Sequence, residues 1–203
     1  PTEVNLREME EVKKKYPKHT LVASIMVETR EEWKELIAAS FNAGCDAIEL
    51  NFGCPHGMCE RGMGSAVGQE PEVLKLITSW AREFSRIPVI VKLTPNVTDV
   101  TVPAEKALDG GAHAVSLINT IKSIVSVDLD AFVPRPIVGG KGTNGGYCGP
   151  AVRPIALHMV GSIARNPKTA RLPISGIGGV STWRDAAEFI AMGATTVQVC
   201  TAV

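Results

Sequence analysis

Cys54 stands in the run Glu49-Leu50-Asn51-Phe52-Gly53-Cys54-Pro55-His56-Gly57-Met58, where an apolar, strand-like segment gives way to glycine. A thiol just past a strand end, with an imidazole two residues on and glycines at Gly57, Gly62, Gly64 and Gly68, can be carried over a bound substrate and can pass it a proton. A cysteine outside a disulfide more often packs as a small hydrophobe. Cys45, Cys148 and Cys200 read as packing or backbone positions, and Cys59 is a second candidate in the same loop. Lys92 closes the apolar run Pro88-Val89-Ile90-Val91, and a lysine buried there is costly unless it meets an anion or an electron-rich acceptor. The alternative for Lys92 is a solvated rim position. Asn51 and Asn119 also end apolar runs. Their amides suit the alternating N–H and C=O edge of a pyrimidine-type ring, and each serves equally well as a loop or helix cap.

Glycines follow the later apolar runs. Gly178-Gly179 and Cys200-Thr201 come after the last two strand-like segments, where a barrel offers backbone N–H groups and a helix N-terminus to a phosphate. That is the position of a mononucleotide cofactor, although glycines needed only for turns would look the same. The run Gly176-Ile177-Gly178-Gly179-Val180-Ser181 lacks the third glycine of the dinucleotide fingerprint and lies late in the chain, which argues against a dinucleotide fold. The acceptor implied for Lys92 is then the pyrimidine-like edge of a flavin, which becomes anionic on reduction.

The elements that must hold these residues alternate strand and helix. Strands are expected at 21–27, 47–52, 88–93, 114–118, 173–177 and 196–200, and helices at 30–43, 71–86, 102–109, 154–166 and 182–192, after a polar helix near 5–16. Thr182 with Asp185 resembles a capping box, and Gly44, Gly110 and Gly193 sit where helices stop. This order predicts an α/β fold with a parallel sheet. The chemistry-bearing residues all fall at C-terminal strand ends, where a (β/α)8 TIM barrel keeps its active site. Such a barrel has eight strands and roughly 250 residues. The expectation is one domain over 1–203 that is a truncated barrel, about six βα units with the first two units and the closing helix missing.

Composition narrows the partners. Lys plus Arg and Asp plus Glu number 21 each in 203 residues, so overall charge favours neither nucleic acid nor an anionic membrane. Apolar stretches are strand-sized, no signal-peptide order opens the chain, and five cysteines without CxxC pairs suit neither a disulfide framework nor structural zinc. A cytoplasmic location is expected.

Taken together, the 49–58 run, the Gly62-Met63-Gly64 triplet, Gly68-Gln69, Lys92-Leu93-Thr94-Pro95-Asn96, Asn119-Thr120 and Arg153-Pro154-Ile155-Ala156-Leu157 resemble the dihydroorotate dehydrogenase superfamily of FMN barrels, and within it the dihydropyrimidine dehydrogenase catalytic domain. The 121–124 and 127–129 stretches are similar to the bacterial NAD-dependent type. The resemblance implies reduction of uracil or thymine to the 5,6-dihydro form, with hydride passing from FMN to C6 and Cys54 protonating C5. It implies that His56 tunes the catalytic loop and that Asn51, Asn119 and Thr120 hold the pyrimidine base. Lys92, Gly149, Gly178, Gly179, Cys200 and Thr201 would hold FMN. Electrons would come from NAD(P)H through an FAD-bearing partner subunit in a homo- or hetero-oligomer, with iron–sulfur clusters outside this region. Phe52-Gly53 departs from the family, which more often has serine before the cysteine, and the family's early lysine and asparagine have no counterpart here. A dihydroorotate dehydrogenase would need cationic contacts for a carboxylate and usually Asn after Cys-Pro. A tRNA-dihydrouridine synthase is similar in its Asn-x-Gly-Cys-Pro string but needs a basic RNA surface. A non-catalytic partial barrel is the remaining alternative.

Overall fold

The computed structural model describes residues 2–54, 62–200 and 202. After the polar helix α1 (Thr2–Lys15), the chain runs β1 (Val22–Ile25), α2 (Arg30–Asn42), β2 (Ala47–Asn51), α3 (Ser65–Gln69), α4 (Pro71–Phe84), β3 (Val89–Lys92), α5 (Thr101–Asp109) and β4 (Ala114–Leu117). Six short strands follow: β5 (Ile121–Ser123), β6 (Ser126–Asp128), β7 (Val133–Arg135), β8 (Ile137–Val138), β9 (Lys141–Gly142) and β10 (Gly145–Tyr147). A 3-10 turn (Pro150–Val152) leads into α6 (Arg153–Arg165), β11 (Ile174–Ile177), α7 (Trp183–Ala191) and β12 (Thr196–Gln198).

The six expected strands form one parallel sheet in the order β1-β2-β3-β4-β11-β12. One face is covered by helices. Ile48, Leu50, Val89, Val91, Val115, Leu117 and Ile174 point there and pack with Trp33, Ile37, Leu74, Ala104, Ala156, Val160 and Phe189, all at most 2% exposed. Alternation then puts Ser24, Glu49, Asn51, Lys92, Ser116, Ser175 and Gln198 on the opposite face. Gln198 Nε2 of β12 reaches Glu49 Oε2 of β2 at 3.5 Å, although the two strands stand four places apart. Flat spacing would separate them by about 19 Å at roughly 4.8 Å per strand. The sheet therefore curls around its polar face as a partial (β/α) barrel.

Local grammar agrees with the sequence in most places. Thr29 with Glu32, and Thr182 with Asp185, form capping boxes at α2 and α7. After α5 the left-handed residue is Gly111 (φ 88°), one position beyond the expected Gly110 (φ −75°). Residues 121–147 differ most. They fold into three antiparallel ribbons, β5 with β10, β6 with β7 and β8 with β9, whose two- and three-residue strands are too short to show a period. Among the described residues no helix is long and apolar enough to cross a membrane.

Leu50 is fully buried in the middle of β2. Leu50→Ala is expected to lower unfolding free energy by about 2–5 kcal/mol in a denaturant titration.

Candidate active site

The polar face of the sheet is organised around one carboxylate. Glu49 is 6% exposed, and each of its oxygens meets two donors. Oε1 accepts from Ser24 Oγ at 3.0 Å and faces Lys92 Nζ at 3.5 Å. Oε2 accepts from Ser116 Oγ at 2.7 Å and from Gln198 Nε2 at 3.5 Å. Register produces this: Ser24 lies opposite Glu49, while Lys92 lies opposite Ser116 and Asn51 in the next layer toward the C-terminal ends. A buried carboxylate is tolerable only with such pairing.

One layer higher, amides interlock. Asn119 Nδ2 donates to Asn51 Oδ1 at 2.9 Å, and Asn119 Oδ1 accepts from Thr120 N at 2.8 Å. Asn96 braces the same corner, donating from Nδ2 to Thr94 Oγ1 (2.9 Å) and Thr120 O (3.2 Å) and accepting from Lys122 N (2.9 Å). A Cβ at Gly53 would collide with Asn119, so glycine at the position where the family more often has serine lets Asn119 close on Asn51. Cys54 is half-buried just past β2, and its carbonyl accepts from Ser65 N at 3.0 Å, which ties one end of the following loop to the start of α3. His56, Cys59 and the rest of 55–61 lie outside the described residues, as does Thr201.

Above these layers is a cavity of about 280 Å³ at the ends of β3, β4, β11 and β12. Lys92, Asn119, Thr120, Gly149, Gly178, Gly179 and Cys200 all line it, so seven residues singled out from the sequence converge on one space. Asn51 and Cys54 are not among its lining residues. Asn51 reaches the site through Asn119, and Cys54 stands at the end of the neighbouring β2. Cys148 is exposed on the cavity wall rather than packed in the core.

The glycine segment is held from behind. Asp185 Oδ2 accepts from Ser181 N (2.9 Å) and Thr182 N (2.8 Å), and Arg153 pairs with both Asp185 and Glu188. The Ser181 N–H foremost, then the Thr182 contacts and the Arg153 charge, keep the Asp185 carboxyl below the usual range, against the opposing effect of burial. Because the cap takes the Ser181 and Thr182 N–H groups, the earlier N–H groups of 178–180 are the ones left for an anion. Gly178 and Gly179 have φ of 140° and 71°, and a Cβ on Gly179 would lie 2.6 Å from Gly149 O.

These residues fit a flavin mononucleotide. Lys92 offers a cation, and Gly178, Gly179 and Val180 line the cavity with backbone that offers donors for a phosphate, at a close approach to Gly149 that a Cβ on Gly179 would fill. Sequence reasoning quoted Glu49 without assigning it a role and missed Gln198 altogether. The period-2 alternation of Glu49 with Asn51 was the available signal for the first. For the second, two strands at opposite ends of the sheet had to be known to meet.

The dihydroorotate dehydrogenase family model matches residues 2–203. The chain is 47% identical over its full length to a chloroplastic dihydropyrimidine dehydrogenase (NADP(+)) of Arabidopsis thaliana. It is 44% identical to the NAD-dependent dihydropyrimidine dehydrogenase subunit PreA of Escherichia coli, and covers 49% of each relative. Over 90% of the chain it is 42% identical to the dihydroorotate dehydrogenase B (NAD(+)) catalytic subunit of Thermococcus kodakarensis, covering 57% of it. The chain thus spans about half the length of these curated relatives. The crystal structure of the Eimeria tenella enzyme DHODH in complex with ferulenol superposes over 99% of the chain and 59% of its own length with a TM-score of 0.74 at 19% identity, which supports the partial-barrel fold.

Two outcomes follow from the charges. Lys92→Met strands the Glu49 carboxylate and is expected to cost about 3–5 kcal/mol by denaturant unfolding, most of it recovered on adding Glu49→Gln. The depressed Asp185 pKa contributes stability above the unfolded value of about 4 that is lost as pH falls through the lower folded value. Asp185→Asn should therefore lower Tm at pH 7, and the gap to the parent should narrow by pH 3.

Proposed function

The chain belongs to the dihydroorotate dehydrogenase family, and from that premise we propose that it is the FMN-binding barrel of a dihydropyrimidine dehydrogenase that reduces uracil or thymine to the 5,6-dihydropyrimidine. The observation that carries this reading is the convergence of Lys92, Asn119, Thr120, Gly149, Gly178, Gly179 and Cys200 on one cavity. The names of the Arabidopsis and E. coli relatives support it.

Bound FMN supplies the hydride that reaches C6 of the pyrimidine. The residues do the rest. The 178–180 backbone, with Gly149, Cys200 and Thr201, would hold the cofactor phosphate and chain, and Lys92 would meet its pyrimidine edge. Asn119 engages the Asn51 carbonyl and so fixes the Asn51 amide plane, leaving its N–H donors for a ring carbonyl of the substrate. Cys54 delivers a proton from Sγ to C5, with His56 tuning the catalytic loop. Electrons would originate at NAD(P)H on an FAD-bearing partner subunit or domain and would arrive through iron–sulfur clusters outside this region. The E. coli relative is itself named as a subunit.

The second reading, dihydroorotate oxidation, is favoured by the Thermococcus relative. It requires a cation for the substrate carboxylate. Among the described residues lining the cavity, the one cationic side chain is Lys92, and Glu49 already pairs with it.

The test uses the full-length protein with its flavin reduced anaerobically and followed by absorbance on mixing with uracil, thymine or orotate. Uracil or thymine is expected to reoxidise the flavin. Cys54→Ala should slow this by at least about a hundredfold while leaving the flavin spectrum intact. Reoxidation by orotate alone would move the protein to the second reading, and a protein without flavin would defeat both.

A further inference from the structure

We propose that Glu49 is a positioning residue that fixes the Lys92 ammonium at the floor of the cavity and tempers its charge, thereby setting the reduction potential of the flavin bound above it. This rests on the FMN reading given under Proposed function.

Three observations point the same way. Glu49 is nearly closed to solvent, yet it is fully engaged by donors from β1, β3, β4 and β12, so its place is fixed by most of the sheet at once. Its shortest bonds go to neutral hydroxyls, Ser116 at 2.7 Å and Ser24 at 3.0 Å. Lys92 stands off at 3.5 Å, longer than the roughly 2.7–2.9 Å of a direct charge-assisted bond. The ammonium is therefore held by the carboxylate's field, while Lys92 also lines the cavity and keeps donors for what the cavity holds.

A buried ion pair is a poor way to stabilise a fold, since apolar residues of similar volume often do as well or better. A pair placed directly beneath a ligand cavity affects the ligand. An acceptor that becomes anionic on reduction is favoured by Lys92 and opposed by the carboxylate beneath it. Removing the carboxylate's charge while keeping its volume and one accepting oxygen shifts that balance toward the reduced form.

The experiment measures the flavin midpoint potential of the full-length holoprotein by anaerobic dye-equilibrated titration, alongside FMN affinity and thermal melts. Glu49→Gln is expected to favour binding of reduced over oxidised FMN at least tenfold more than the parent. For this two-electron couple, that is a positive shift of about 30 mV. Glu49→Asp, which keeps the charge but withdraws it from Lys92, should fall between the two. If Glu49→Gln does not fold, Glu49→Asp alone decides, by a positive shift. Flavin-loaded variants whose potential equals or falls below the parent's, whatever their stability or affinity, overturn the proposal and assign Glu49 a purely structural role. A parent protein that carries no flavin overturns the FMN reading itself, and this inference with it.

Discussion

Placing a carboxylate in the interior of a curled parallel sheet imposes a condition that most of the polar architecture answers. Glu49 cannot stay charged there without a cation and hydrogen-bond donors, and the sheet supplies them from four other strands: Ser24, Lys92, Ser116 and Gln198. That demand explains why the inner face carries serines and a glutamine where an ordinary core would carry valine and leucine. The apolar half of each strand faces the helices and drives folding, and the polar half is held in place as a consequence.

On that base the site is built in layers. The carboxylate forms the floor, and Lys92 and the Asn51–Asn119 amide pair form the next level, set by a two-residue step along β2 and by β3 register. The loops after β4, β10 and β11 form the walls. The wall nearest α7 is stiffened from outside by Arg153 and the Asp185 capping box, which consume the outer N–H groups and leave those of 178–180 for an anion. Cys54 itself is tied to the start of α3 through Ser65 N, at the edge of this arrangement.

Much of this was legible in the sequence for identifiable reasons. Buried parallel strands read as β-branched runs, strand ends as polar or glycine residues, and the capping box at Thr182 as a local spacing, so six strands in order and cavity residues such as Lys92, Asn119, Gly178 and Gly179 were recoverable from local pattern, while the roles of Thr120 and Gly149 came from the family resemblance. What was not recoverable depended on long-range meetings or on very short elements. Gln198 acquires a role only when the sheet curls. Glu49 looked like one polar residue in a motif until four strands were seen to converge on it. The ribbons of 121–147, with strands of two or three residues and largely exposed side chains such as Phe132 and Leu129, have no period to read. The left-handed Gly111, beside the equally plausible Gly110, is settled by one turn's geometry and not by composition.

A crystal structure of the full-length protein with FMN and a pyrimidine base bound would decide whether Glu49, Lys92 and the 178–180 backbone act together on the flavin. The phosphate is expected against the backbone of 178–180, the flavin's pyrimidine edge at Lys92 with Glu49 still beneath it, and the base between the flavin and Cys54, in reach of Asn51, Asn119 and Thr120. Flavin bound elsewhere, or a Lys92 turned away from both Glu49 and the flavin, would contradict this arrangement.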